Sequence, residues 1–108
     1  MEQDKMIIAY DLDGTLSVEL EDWELYKYAP AIAGAIEELN ALKEQGHTII
    51  IHTARFEEDR EVTIKWLREN KVRYDILVLG KPRADLYVDN NSCRVGETES
   101  FFKKLLKV

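Results

Sequence analysis

The sequence predicts an α/β fold built on a mainly parallel sheet, and three observations predict it. Short, nearly uniform apolar runs rich in Ile, Leu and Val end abruptly on polar residues, as strands buried on both faces do. Segments with apolar residues at helical spacing separate the first three of these runs, the alternation expected of strand–helix–strand units. The size suits one such layer set, because 108 residues with 45% hydrophobic and 33% charged content describe a single globular domain over residues 1–108.

The first strand is Met6-Ile7-Ile8-Ala9-Tyr10, which stops at Asp11, and Asp13-Gly14 then turns the chain. The stretch from Asp13 to Pro30, LSVELEDWELYKYA at its centre, has weak periodicity and is long for a simple connection; such loops are often functional. A helix follows from about Ala31 to Gln45, with Ile32, Ile36, Leu39 and Leu42 on one stripe, Pro30 at its start and Gly46 as its stop. His47 to His52 is the second strand, ending at Thr53. A second helix spans about Asp59 to Asn70, its stripe formed by Val62, Trp66 and Leu67. Asp75 to Leu79 is the third strand, closed by Gly80, and Leu86-Tyr87-Val88 a fourth, ending at Asp89. Phe101, Phe102, Leu105 and Leu106 give the segment Thr98 to Val108 the pattern of a docked last helix. Only five residues, Lys81 to Asp85, separate the third and fourth strands, too few for a helical crossover. Either the chain dips directly to the far edge or the third strand is not parallel.

Composition narrows the function classes. Fifteen basic and 21 acidic residues leave a formal charge of −6, with a sequence pI near 4.9, which argues against a broad nucleic-acid or anionic-membrane surface. The single cysteine, Cys93, cannot form an internal disulfide, so a reduced, cytoplasmic setting is expected. No apolar run approaches the ~20 residues of a membrane span, and MEQDKMIIAY lacks a secretory core.

In open parallel α/β sheets, ligands bind outside the carboxyl ends of the strands. Asp11 and Asp13 follow the first strand, Thr53 the second, Lys81 the third and Asp89 the fourth, so parallel strands bring all five to one rim. Three carboxylates together need a divalent cation, and an oxygen-only donor set suits Mg²⁺. A lysine and a threonine beside that ion suit a phosphoryl group. The pair Asp11-x-Asp13 allows one carboxylate to attack phosphorus while the other moves protons.

Asp11-Leu12-Asp13-Gly14-Thr15-Leu16 after an apolar strand resembles the opening signature of the haloacid dehalogenase-like superfamily. Thr53 after Ile49-Ile50-Ile51-His52, Lys81 in Gly80-Lys81-Pro82, and Asp89 after Tyr87-Val88 match its other three motifs in order, over roughly residues 6 to 92. IIIHTAR and GKPRADLYVDN are also similar to the small capless phosphatases of capsular polysaccharide biosynthesis. The resemblance implies a Rossmann-like three-layer sandwich without a cap domain. It implies a Mg²⁺-dependent phosphomonoester phosphatase acting through an aspartyl phosphate. Asp11 would be the nucleophile and Asp13 the general acid/base. Mg²⁺ would be held by Asp11, the main-chain carbonyl of Asp13, and Asp89. The transferring phosphoryl group would be bound by Thr53 and Lys81 with the amides of Leu12 and Ala54. The substrate expected is a small phosphate ester, a carbohydrate phosphate first. A polynucleotide phosphate is the alternative disfavoured by the net charge, and a second copy of the chain is a candidate cover for the rim.

Other readings stand beside this one. A receiver-type signalling domain carries similar acids, a hydroxyl residue and a lysine, but places its phosphorylated Asp at the end of a later strand, where this chain has Thr53. A non-catalytic metal-binding relative is suggested by Asn90, where many relatives carry a second acid. Asp85 competes with Asp89 as a ligand, yet four strand residues separate them by about 13 Å, so one ion cannot take both. His47 and His52 fall on opposite strand faces and form no metal pair, although His52 adjoins the rim. Arg55 suits either a second phosphate or a structural ion pair. Trp23, Tyr26 and Tyr28 either stack on a substrate or pin the long loop to the core. The acids at Glu57, Glu58, Asp59 and Glu61 suit a helix N-terminus.

Overall fold

Three parallel strands form the sheet: β1 (Ile7–Tyr10), β2 (Thr48–His52) and β3 (Ile76–Val78), in the order β1-β2-β3. The structure, a computed structural model, describes residues 5–86 and 88–90. Helix α1 (Ala33–Glu44) connects β1 to β2, and α2 (Arg60–Glu69) connects β2 to β3. The chain is α/β and Rossmann-like, as its alternating periodicity predicts. The third strand is parallel: Ile50, Ile51 and His52 pair with Ile76, Leu77 and Val78, while Ile7 to Tyr10 pair with Thr48 to Ile51.

One face of this sheet carries the core. Ile49 and Ile51 are fully buried, and their register partners Ile8, Tyr10 and Leu77 lie on the same face. Ile36, Leu39 and Leu42 of α1 and Trp66 and Leu67 of α2 join the same cluster. Successive crossovers that keep the usual right hand while the strands advance in one direction would place both helices on one face, in agreement with the cluster that they share. The opposite face presents Ile7, Ile76 and Val78 at 74%, 47% and 39% exposure. The predicted last helix, Thr98 to Val108, lies outside the described residues, as does Cys93. Of the predicted fourth strand, Leu86 and Val88 are exposed and outside the three-stranded sheet, and Tyr87 lies outside the described residues.

The helix boundaries differ from their sequence signals for local reasons. Pro30 does not open α1, because the segment from Pro30 to Ile32 returns to the loop after β1. Val18 N donates to Pro30 O (2.9 Å) and Ile32 N to Leu16 O (2.8 Å). The helix therefore begins at Ala33, and it ends before Gly46, whose φ of +97° turns the chain out of the helix. A 3₁₀ turn, Glu57–Asp59, leads into α2, so the acid run does sit at a helix N-terminus. Thr63, fully buried, replaces Val62 beside Trp66 and Leu67 on the inner stripe.

Two polar groups tie the sheet to its surroundings. At the entrance to β3, Asp75 Oδ2 accepts from Ile49 N (2.8 Å) and Oδ1 from Lys43 Nζ (2.6 Å). Those bonds hold the Asp75 carboxyl below the usual carboxylate range, the Lys43 bond contributing most. His47 is buried, its Nδ1 accepting from Met6 N at 3.0 Å. Burial, reinforced by the Lys5 ammonium, pushes it below the ordinary imidazole range. Its place is structural. His52 lies on the other face of β2, next to Val78.

Candidate active site

The turn after β1 is wound around one buried carbonyl. Leu12, fully buried, accepts at its main-chain oxygen from Thr15 N (3.1 Å), Leu16 N (2.9 Å) and Ser17 N (3.1 Å). Gly14 closes the loop, its N donating to Ser17 O at 2.7 Å with φ at +87°, a conformation that disfavours a side chain. This winding buries Leu12 and Leu16 and leaves Asp11 exposed and Asp13 half-buried at the strand end. The Leu12 amide donates to Asp11 Oδ1 (2.8 Å), orienting the carboxylate it follows.

The end of β2 is tied to the end of β3. Thr53 N donates to Val78 O, Lys81 N to Thr53 O and Gly80 N to Arg55 O, each at 2.9 Å. The parallel geometry of β3 thus brings the Lys81 backbone beside Thr53. Thr53 is buried, with Oγ1 accepting from Arg55 N at 3.2 Å.

A solvent-open cavity of about 160 Å³ lies at these strand ends. Asp11, Asp13, Thr53 and Ala54 all line it, joined by Glu19, Leu20, Glu21 and Tyr26 from the long loop, Phe56 after β2, and Arg83. Leu12, Lys81, Asp85, Asp89, Asn90 and His52 are not among its lining residues, and the Leu12 amide is spent on Asp11. Among the described residues, no group of three His, Cys, Asp or Glu side chains is arranged to hold a metal. The exposed Asp11 carboxylate and the Asp13 carbonyl remain hard oxygen donors on one turn, fitting an ion such as Mg²⁺ that takes few protein ligands. The Asp13 carboxylate is committed elsewhere.

That commitment is to Arg55. Its Nε donates to Asp13 Oδ2 at 2.9 Å and its Nη2 to Asp13 Oδ1 at 2.7 Å, a bidentate ion pair across 42 positions of sequence. Nη1 donates to Thr63 Oγ1 at 3.0 Å, and the guanidinium carbon lies 3.9 Å from the centre of the Tyr26 ring. Arg55 is 1% exposed, so it forms the ion pair, not a rim contact for a second phosphate. Tyr26 pins the loop, buried over Arg55, and it also lines the cavity. Tyr28 is exposed, with the Lys27 ammonium 5.1 Å from its ring centre, and the side chain of Trp23 lies outside what is described.

Glu19, Glu21, Phe56 and Arg83 escape sequence reasoning because nothing in their spacing marks them. The 3₁₀ helix Trp23–Tyr28 folds the long loop back onto α2, where Trp66 Nε1 donates to Ala29 O at 2.8 Å, and so brings in Glu19 and Glu21, while Phe56 and Arg83 reach the cavity from the segments after β2 and β3.

No family model matches this chain, and no curated protein matches it either. Solved structures do. The chain is similar to an MCSG target from Vibrio cholerae, with 26% identity, a TM-score of 0.74, and coverage of 94% of this chain and 96% of that one. It is also similar to a chain of the Pnkp1/Rnl/Hen1 complex, with 22% identity and a TM-score of 0.64, covering 96% of this chain and 37% of that one. A chain in a structure of the Pnkp1/Rnl/Hen1 RNA repair complex gives 26% identity and a TM-score of 0.60, covering 94% of this chain and 30% of that one. The chain thus spans about a third of the length of those two chains. The likeness extends to the whole α/β architecture described above.

Proposed function

We propose that this chain is a Mg²⁺-dependent phosphatase of the haloacid dehalogenase-like type, acting on phosphomonoesters. The observation that carries the reading is the cavity at the strand ends, which Asp11, Asp13, Thr53 and Ala54 line together. Asp11 is exposed there, as a nucleophile must be, and Asp13 is two residues away on the same turn.

The exposed Asp11 carboxylate attacks phosphorus, and the bond from phosphorus to the ester oxygen breaks. The departing oxygen takes a proton from Asp13, leaving an aspartyl phosphate on Asp11. Water then attacks that phosphorus, the Asp13 carboxylate takes its proton, and inorganic phosphate leaves with Asp11 restored. The Thr53 hydroxyl and the Ala54 amide, both lining the cavity, bind the phosphoryl oxygens, and the Lys81 ammonium would join them by reaching in from its backbone position beside Thr53. Asp11 and the Asp13 carbonyl would hold Mg²⁺, which would neutralise charge on the phosphoryl group when bound. Asp89 would join that set only by approaching the cavity from the segment after Gly80.

A carbohydrate phosphate is the favoured substrate class, since Glu19 and Glu21 offer acceptors to hydroxyl groups and add negative charge that opposes a polyanion. A polynucleotide phosphate is the second reading, favoured by the likeness to a chain of an RNA repair complex. The test is phosphate release, with and without Mg²⁺, from aryl phosphate, sugar phosphates and an oligonucleotide 3′-phosphate. Wild type is expected to turn over at least one and Asp11→Asn none. Equal, background-level release by both proteins across the panel would overturn the proposal. Preference for the oligonucleotide would exchange the first substrate class for the second. Stable phosphorylation of the protein without turnover would indicate a receiver-type domain.

A further inference from the structure

Arg55 is the bulkiest fully buried side chain among the described residues, and a buried guanidinium is tolerated only when its donors are matched. Here the contacts of the Arg55 side chain serve one alignment. The fork made by Nε and Nη2 grips both oxygens of Asp13, Nη1 is anchored on Thr63, and the Tyr26 ring covers the flat face. Ser17 Oγ adds a donor to Asp13 Oδ1 at 3.3 Å. An aspartate carboxyl otherwise rotates in a broad torsional well. A proton donor, by contrast, works only when held near its productive geometry.

The lone pairs of the carboxylate make the alignment specific. Two oxygens offer about four acceptor sites. Arg55 takes one on each oxygen and Ser17 the second on Oδ1, which leaves the remaining site on Oδ2. Asp13 lines the cavity, and its side chain keeps 18% exposure although the Arg55 side chain has none. We propose that Arg55 is a positioning residue that aims Asp13 into the cavity and selects Oδ2 as the oxygen that carries the catalytic proton. Resting on the phosphatase reading, this deepens it: the Oδ2–H bond breaks as the leaving oxygen is protonated, and Oδ2 recovers its proton from the attacking water. Thr63 and Tyr26 act one step further out by fixing the fork.

The experiment separates the two half-reactions. In an aspartyl-phosphate mechanism kcat/KM reports the phosphorylation step, in which a poor alkyl leaving group needs a proton and a good aryl leaving group does not. Arg55→Met is expected to lower kcat/KM for an alkyl phosphate by about 100-fold and for p-nitrophenyl phosphate by less than about 5-fold, within the span that general acids contribute. Its kcat should fall for both esters, because hydrolysis of the aspartyl phosphate needs Oδ2 as base. Arg55→Lys restores charge without the fork and should recover little of the loss. Combining Arg55→Met with Asp13→Asn should cost no more than Asp13→Asn alone, because groups acting as one unit are non-additive. If Arg55→Met does not fold, Thr63→Val, which leaves the ion pair in place, should show the same split at smaller amplitude. Equal losses for alkyl and aryl esters, or losses that multiply in the double variant, overturn the role of Arg55 while the phosphatase stands. Absence of turnover by wild type on any ester overturns both.

Discussion

Trp66→Phe tests how the long loop after β1 is held over the site. Trp66 is 2% exposed, belongs to the core cluster and donates from Nε1 to the buried Ala29 carbonyl at 2.8 Å. Phenylalanine keeps an aromatic ring but removes the donor, leaving that carbonyl without this partner at a cost of about 1–3 kcal/mol. The smaller ring adds roughly 1 kcal/mol for the space it leaves, at the low end of large-to-small core changes. The sum, about 2–4 kcal/mol, is a large share of the roughly 5–15 kcal/mol of a typical domain. For a chain of this size it should lower the thermal midpoint by on the order of 10–20 °C. Urea unfolding followed by far-ultraviolet circular dichroism reads the loss directly, with an unchanged slope showing that the two-state comparison holds. A loss below about 0.5 kcal/mol would refute the reasoning, since it would mean that neither the hydrogen bond nor the ring anchors the loop. Because Tyr26 and Ala29 belong to the same loop, the variant should also loosen the cover over Arg55.

Asp75 gives a pH prediction. Its folded carboxyl titrates below the ordinary value of 3.8, so the stability it supplies is present above that value and is lost as pH falls through it toward the folded one. Asp75→Asn should therefore be less stable than wild type at neutral pH, with the gap closing under acid unfolding, as chemical denaturation at pH 7 and pH 3 would read. His47 acts in the same direction higher up: its lowered folded value means stability declines as pH falls through 6.5, a slope that His47→Gln should flatten. Gly80→Ala meets no atom within 4 Å but must hold φ at +82°, so it should cost about 1–2 kcal/mol in thermal unfolding and disturb the Gly80–Arg55 bond. Chelation should abolish phosphate release and added Mg²⁺ should restore it. The circular dichroism spectrum should not change, because Asp11 lies outside the core cluster.

Strand and helix order was legible because each apolar run has a length and period that only one element type satisfies. Ile49 and Ile51 bury, Ile50 does not, and the helical stripes of α1 and α2 supply the matching cluster. The placement of Asp11, Asp13 and Thr53 followed from the same logic, since a parallel sheet gathers the residues that end its strands. The segment after Gly80 was not legible in this way. Leu86-Tyr87-Val88 has a strand's composition, but three apolar residues fix neither a partner nor a register, and its two described ends stand exposed.

By itself, then, the sequence determined the alternating fold and the convergence of the first two motifs at one rim, because hydrophobic period and strand polarity are local properties. Only the tertiary structure decided that β3 runs parallel, with Lys81 tethered beside Thr53, because register depends on hydrogen bonds between distant segments. Only it decided that Arg55 is buried against Asp13, Thr63 and Tyr26, and that Glu19, Glu21 and Arg83 reach the cavity. A side chain 42 positions away enters a local pattern as one more charge. Packing alone assigns its partner, since a buried guanidinium must find acceptors wherever the fold has set them.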